Sequence, residues 1–222
     1  MRDRIVGKME RKQRTGFGSF GTMELSLLEG TIISSLFPEG KDMTIREIVK
    51  RTTYSYERVN SALKSLAEKK IVTEKKVGKT LVYSLDLHNL YAEIGFDHYM
   101  LEREIEFIKK HRTVYNAIKE IIDNPHIWMV VLFGSYSKET ESKQSDVDVI
   151  CVSNNKGETE HFVKSLKYKY NVEFAPVVLS LQDFPSIKKD NPELWNDLRS
   201  YGIVFKGEDY FYSWMYNNDK GH

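Results

Sequence analysis

The sequence predicts an α+β fold in two parts: helices closed by a β hairpin come first, and strands alternating with helices follow. Three observations lead there. Apolar residues recur at helical spacing between Leu25 and Leu66, and two β-rich segments flank Gly78. Further on, residues 127–133 and the segment after Ser145 are continuous apolar runs, the pattern of strands covered on both faces.

A chain of 222 residues is long enough for two small domains. Its net charge of +1 conceals an asymmetry: residues 1–90 hold 17 Lys and Arg against 11 Asp and Glu, and residues 91–222 hold 16 against 21. A basic part joined to an acidic part points to polyanion binding in the first and another task in the second, although scattered surface charge gives the same totals. No apolar run approaches the roughly 20 residues of a membrane span, and the charged start lacks the apolar core of a secretory signal. The single cysteine, Cys151, has no internal disulfide partner. A cytoplasmic protein with no membrane partner is expected.

Residues 1–22 mix charge with Gly16, Gly18 and Gly21 and read as a flexible basic arm. Leu25, Leu28, Ile32, Ile33 and Leu36 share one helical face, and Pro38-Glu39-Gly40 ends that helix. Thr44 and Glu47 have the spacing of a capping box for a short second helix that buries Ile48 and Val49. Ser55 is placed to cap a third, whose Val59, Ala62, Leu63 and Leu66 face inward and leave Tyr56, Arg58, Asn60, Ser61 and Lys64 outward. Residues 71–75 and 81–85 then form a hairpin tipped by Lys75, Lys76 and Lys79. Residues 88–123 read as one or two long helices ending at Asn124-Pro125, with a break at Gly95-Phe96-Asp97. That stretch is expected either to join the two parts or to pair with a second copy of the chain.

Three short helices followed by a basic-tipped hairpin resemble the winged helix-turn-helix family over about residues 24–86. The resemblance implies that the third helix enters the major groove of DNA. Tyr56, Arg58, Asn60, Ser61 and Lys64 would then face bases or phosphates, and Lys75, Lys76 and Lys79 would face phosphate. Winged helices also serve as dimerisation modules, so a homodimer through this part or through the helices after it is the other expectation.

The second part carries the chemistry. Residues 127–133 deliver the chain into Gly134-Ser135, where glycine allows a ligand close to the backbone and the first amides of a helix lack internal partners. Ten residues on, Ser145-Asp146-Val147-Asp148 opens the second apolar strand, and carboxylates at i and i+2 share one face. Two like charges side by side are costly unless a cation neutralises them. Taken alone, the pair reads more readily as the cap of a loop at an exposed strand end. The ordered combination over residues 130–152 resembles the nucleotidyltransferase superfamily, which includes polymerase-beta-like enzymes and minimal nucleotidyltransferases.

That resemblance implies an α/β domain over residues 125–222, with a sheet of mixed strand direction and flanking helices. It assigns Gly134 and Ser135 to grip a nucleoside triphosphate and Asp146 and Asp148 to bind Mg²⁺ or Mn²⁺. A third carboxylate belongs on the next strand, and Glu173 is the acid of the strand-like segment 170–178, hence the candidate base. Where the family often has arginines and a second glycine, this chain reads Tyr136-Ser137-Lys138-Glu139, leaving Lys138 as the phosphate-facing cation. The expected activity is transfer of a nucleoside monophosphate to a hydroxyl acceptor. The alternative is a DNA-binding regulator with a weakly active or inactive transferase-like domain; a third possibility is a unit that mainly binds a protein partner. Leu194, Trp195, Leu198 and Tyr201 read as a helix core, residues 202–207 as a last strand, and Trp214 with Tyr216 as a packing cluster. The layout expected is an arm at 1–22, a winged helix at 23–86, linker helices at 87–124 and the transferase-like domain at 125–222.

Overall fold

Helix α1 (Leu27–Ser35) begins at Ser26, whose hydroxyl accepts the Glu29 amide while the Glu29 carboxylate accepts the Ser26 amide at 2.7 Å. Helix α2 (Ile45–Thr52) repeats this reciprocal cap with Thr44 and Glu47, as their spacing predicts. The turn to α3 (Tyr56–Glu68) passes through Thr53 at φ 59°, and Ser55 opens α3 without donating or accepting a side-chain cap bond. The computed structural model describes residues 24–217; the arm expected at 1–22 lies outside the described residues.

Strands β1 (Met43–Thr44), β2 (Val72–Val77) and β3 (Thr80–Leu85) form an antiparallel sheet in the order β1-β3-β2, with Gly78 at φ 60° in the hairpin turn. All of β2 after Val72 is exposed, as befits a wing that leaves the core. The element order helix, strand, helix, helix, hairpin is that of a winged helix-turn-helix. Its core gathers Ile32, Ile33, Leu36, Ile48, Val59, Leu63 and Leu66, the inward positions of the helical periodicities.

Helix α4 (Leu90–Lys110) runs unbroken through Gly95, where a break was expected. A Cβ at Gly95 would sit 2.3 Å from Ile33 Cγ2, so this glycine lets α4 lie close against α1. The chain bends instead at His111, and α5 (Arg112–Asp123) follows.

The second sheet joins β4 (Ile127–Leu132), β5 (Val147–Ser153), β6 (Phe174–Leu179) and β7 (Ile203–Lys206) in the order β6-β5-β4-β7. Only the β5–β6 pair is parallel, so the sheet is mixed. Between the strands lie α6 (Gly134–Lys138), α7 (Lys156–Ser165), α8 (Lys167–Tyr170), α9 (Ile187–Asp190) and α10 (Pro192–Tyr201); α11 (Glu208–Tyr212) follows β7. The strand expected from Tyr170 starts later, because α8 ends at Asn171 in the left-handed region and Glu173 precedes the first ladder residue.

Each face of this sheet is covered. Val130, Leu132, Val147 and Val149 pack under α5 and α7 through Ile118, Ile121 and Val163. On the other face Met129, Val131, Ile150 and Val152 meet Trp195, Leu198, Phe211 and Tyr212, and this layer is continuous with the winged-helix core. Phe37 is the joint: its ring centroid lies 5.5 Å from Phe96, 6.3 Å from Tyr212 and 5.4 Å from Tyr216. Hydrogen bonds reinforce it, with the Tyr216 hydroxyl donating to the Pro38 carbonyl at 3.0 Å and the Arg199 guanidinium to the Glu39 carbonyl at 3.2 Å. Tyr201, expected in the α10 core, is instead 47% exposed. Among the described residues no helix is long and apolar enough to cross a membrane.

Candidate active site

The site forms where β4 ends beside the start of β5. Antiparallel pairing sets Leu132 opposite Val149, and the Phe133 amide donates to the Asp148 carbonyl at 3.0 Å. The next residue, Gly134, therefore passes directly over the Asp148 side chain. A Cβ there would lie 2.0 Å from Asp148 Oδ2, and the φ of 69° is itself one that side chains disfavour. Glycine is required twice over at this position.

Alternation along β5 sends Val147 and Val149 into the α5/α7 layer and leaves Asp148 and Ile150 on the opposite face. Asp146 is exposed two residues before the half-buried Asp148, and its charge reaches it. Burial, and then the Asp146 charge, push the Asp148 carboxyl above the usual aspartate range. Among the described residues neither carboxylate accepts a hydrogen bond or pairs with a cation. The Gly134 turn and Asp148 thus meet in space, with the Asp146 charge felt at Asp148.

Two other expected members do not join them. Glu173 is beside β5 through its backbone, its carbonyl accepting the Val147 amide at 2.8 Å, but its carboxylate pairs with Lys167 Nζ at 3.3 Å. Glu173 precedes the β6 ladder, so the pleat does not aim its side chain, and among the described residues no three His, Cys, Asp or Glu converge as a metal cluster. Lys138 has another partner as well. Its ammonium meets Asp197 Oδ2 at 2.6 Å and lies 5.4 Å from the Tyr201 ring centroid, because α10 offers it a carboxylate at the far end of the short α6 turn. Ser135 stays in the turn, half-buried, next to Gly134.

Sequence reasoning missed the supports of this turn. The Ser137 hydroxyl donates to the Gly134 carbonyl at 3.0 Å, and Arg103, from α4, donates to the Ser137 carbonyl at 3.1 Å. Nothing local marks Arg103 as a support of this turn, since the carbonyls it bonds are 34 and more residues away. The Tyr136 ring stands edge-on to His111 at 5.3 Å between centroids, and burial followed by the charges of Glu141 and Asp146 raise its phenol pKa.

On the winged helix, Tyr56, Arg58, Ser61 and Lys64 are exposed on the face of α3 opposite Val59, Ala62, Leu63 and Leu66, while Asn60 is half-buried. Arg58 is held 4.7 Å from the Tyr54 ring centroid. Lys75, Lys76 and Lys79 are exposed along the hairpin.

Residues 116–210 match the family described as polymerase beta, nucleotidyltransferase. A protein of Methanocaldococcus jannaschii that carries the provisional name of protein adenylyltransferase is 24% identical over 94 residues, 39% of this chain. The chain spans 63% of the length of that curated relative. Among solved structures, a variant of ZitR from Lactococcus lactis aligns at 18% identity and a TM-score of 0.33, covering 55% of this chain and 90% of that one. A toxin-antitoxin structure with AMP-PNP aligns at 16% identity and a TM-score of 0.32, covering 46% and 79%. Likenesses so distant leave the helix and strand order described above as the basis of the fold. With the Gly134 turn lying against Asp148 inside the matched segment, residues 116–210 are a nucleotidyltransferase domain of the polymerase-beta family, carried behind a winged helix-turn-helix.

Proposed function

We propose that this chain is a metal-dependent nucleotidyltransferase that moves a nucleoside monophosphate from a nucleoside triphosphate to a hydroxyl acceptor, with its winged helix engaging DNA. The observation that carries the reading is the contact of the Gly134 backbone with Asp148, with Asp146 alongside. Two carboxylates that receive no donor among the described residues, one of them pushed toward protonation, are a donor set that fits a hard divalent ion such as Mg²⁺ or Mn²⁺. Such an ion, when bound, supplies neutralising charge at the triphosphate. The chain's own part would be to hold it with Asp146 and Asp148, the missing side chain at Gly134 leaving room for the Asp148 carboxylate, and to offer phosphate the backbone at Gly134 and Ser135. The relative's name makes ATP and a protein hydroxyl the first donor and acceptor to try.

The test is transfer of label from α-labelled ATP by the full chain, abolished in Asp146→Ala and Asp148→Ala. A specific observation favours a second reading. Glu173 is paired with Lys167 and Lys138 with Asp197, so both the expected third carboxylate and the expected phosphate-facing cation have partners of their own. A DNA-binding regulator with a weakly active or inactive transferase domain fits that arrangement. Salt-sensitive duplex binding without label transfer supports it. The DNA-binding part is common to both readings and rests on the exposed positions of α3 and the hairpin lysines. Replacing Lys75, Lys76 or Lys79 by alanine is expected to lower the salt dependence of binding by about one phosphate contact each. A cytoplasmic setting is proposed for either reading, Cys151 being buried and unpaired.

A further inference from the structure

We propose that Arg103 is the positioning residue of the candidate site: its guanidinium fixes the Gly134–Lys138 turn where the Gly134 backbone meets Asp148. The assignment rests on the transferase reading and names a residue outside both motifs that the reading uses.

Helix α6 cannot hold its own position. It has five residues, less than a stable helix needs, and its N-cap residue Phe133 makes no side-chain cap bond. Its fixed points come from elsewhere. Arg103 Nη1 donates to the Gly202 carbonyl at 2.8 Å, and Nη2 donates to the Tyr201 carbonyl at 2.8 Å and to the Ser137 carbonyl at 3.1 Å. These carbonyls belong to the C-terminal ends of α10 and α6, where backbone oxygens have no helical partner and the helix dipole is negative. A planar cation with five N–H donors in a fixed fork spans three such separated oxygens better than an ammonium, whose three donors diverge from one atom.

The effect reaches the carboxylate pair in two short steps. Ser137 is buried and its hydroxyl donates to the Gly134 carbonyl at 3.0 Å, so Arg103 and Gly134 are tied to opposite ends of one residue. Gly134 then lies so close to Asp148 that a single added carbon would collide with Oδ2. The anchor is stiff on the other side too. Gly202 has the Leu198 carbonyl 2.4 Å from where a Cβ would be, and the Tyr99 ring centroid lies 5.8 Å from the guanidinium, one turn earlier on α4. Because Gly95 and Arg103 lie on the same unbroken helix, the turn takes its position from the helix on which the winged helix also rests.

The test uses the full chain as wild type, Arg103→Met, Arg103→Lys and Ser137→Ala, titrated with ATP and Mg²⁺ at a temperature below every Tm. Arg103→Met is expected to weaken ATP binding about 10- to 100-fold, the scale of a misplacement of roughly 1 Å. Arg103→Lys is expected to fall between it and wild type. Ser137→Ala is expected to weaken binding in the same direction and to add nothing when combined with Arg103→Met, since both cut one connection. Hydrogen exchange at amides 134–138 is expected to speed up in Arg103→Met. If Arg103→Met does not fold, Arg103→Lys and Ser137→Ala carry the test, and wild-type affinity in both overturns the assignment. A variant that loses Tm yet binds ATP as wild type shows a purely structural arginine and overturns it too. A wild-type chain that binds no ATP with Mg²⁺ overturns the transferase reading and this assignment with it, whereas wild-type binding that no variant alters overturns this assignment alone.

Discussion

Glu29 in the winged helix and Asp148 in the sheet domain are both carboxylates drawn out of water, and they end on opposite sides of the ordinary range. Burial pushes Glu29 upward, but hydrogen bonds from Lys69, the Ser26 amide and the Ser65 and Ser26 hydroxyls outweigh it and hold the carboxyl at about 2. Asp148 has burial and a neighbouring aspartate and no donor among the described residues, so it stays raised. The same chemical group is used up by the fold in one place and left unanswered in the other. Under the proposed function, the partner this pair lacks is a bound divalent cation.

The largest expected effect tests that contrast directly. Asp146→Ala and Asp148→Ala should each reduce label transfer by about 10³-fold, the rate equivalent of several kcal/mol of charge stabilisation, while circular dichroism stays native. Gly134→Ala comes next, with a loss of about 10²-fold, because the new methyl displaces Asp148; its positive φ adds about 1–2 kcal/mol of lost stability in a melting experiment. Glu29→Gln should act on the fold alone, removing about 2–3 kcal/mol and lowering Tm by roughly 5–10 °C, with ATP affinity at room temperature unchanged. The acid dependence has a definite sign. Glu29 binds its proton less readily when folded, so its contribution is complete above the ordinary value of 4.5 and disappears as pH falls from there toward about 2. Asp148→Asn is the smallest effect and runs the other way. The raised Asp148 pKa means that its charge disfavours the fold at neutral pH, a penalty relieved as pH falls through the raised value toward 3.8. Removing the charge should therefore raise Tm by about 1–3 °C, allowing for solvent screening of this half-buried group; a fall in Tm would erase the contrast with Glu29.

What the sequence made legible was local. Thr44 and Glu47 cap α2 because a capping box needs three residues' spacing and nothing else, and the apolar run from Val147 to Val152 announces β5 with Asp148 near its start. Gly95 was misread because a glycine that breaks a helix and a glycine that lets two helices touch look identical until Ile33 is placed against it. Glu173 was set on a strand by its apolar neighbours, yet Asn171 adopts a left-handed turn and delays the ladder to Phe174. Lys138 and Arg103 were out of reach for a different reason. Asp197 is 59 residues from Lys138 and Gly202 is 99 from Arg103, and no periodicity in the sequence encodes such pairs.

The aromatic joint around Phe37 has a temporal consequence. Phe211, Tyr212, Met215 and Tyr216 complete the layer into which Ile32, Ile33, Leu36 and Phe37 pack. During synthesis the first helices therefore leave the ribosome with an open apolar flank, and that flank closes once residues 211–216 have emerged. Any excised winged helix inherits the same bare flank, so a soluble fragment of this molecule has to include α4 and the segment after β7.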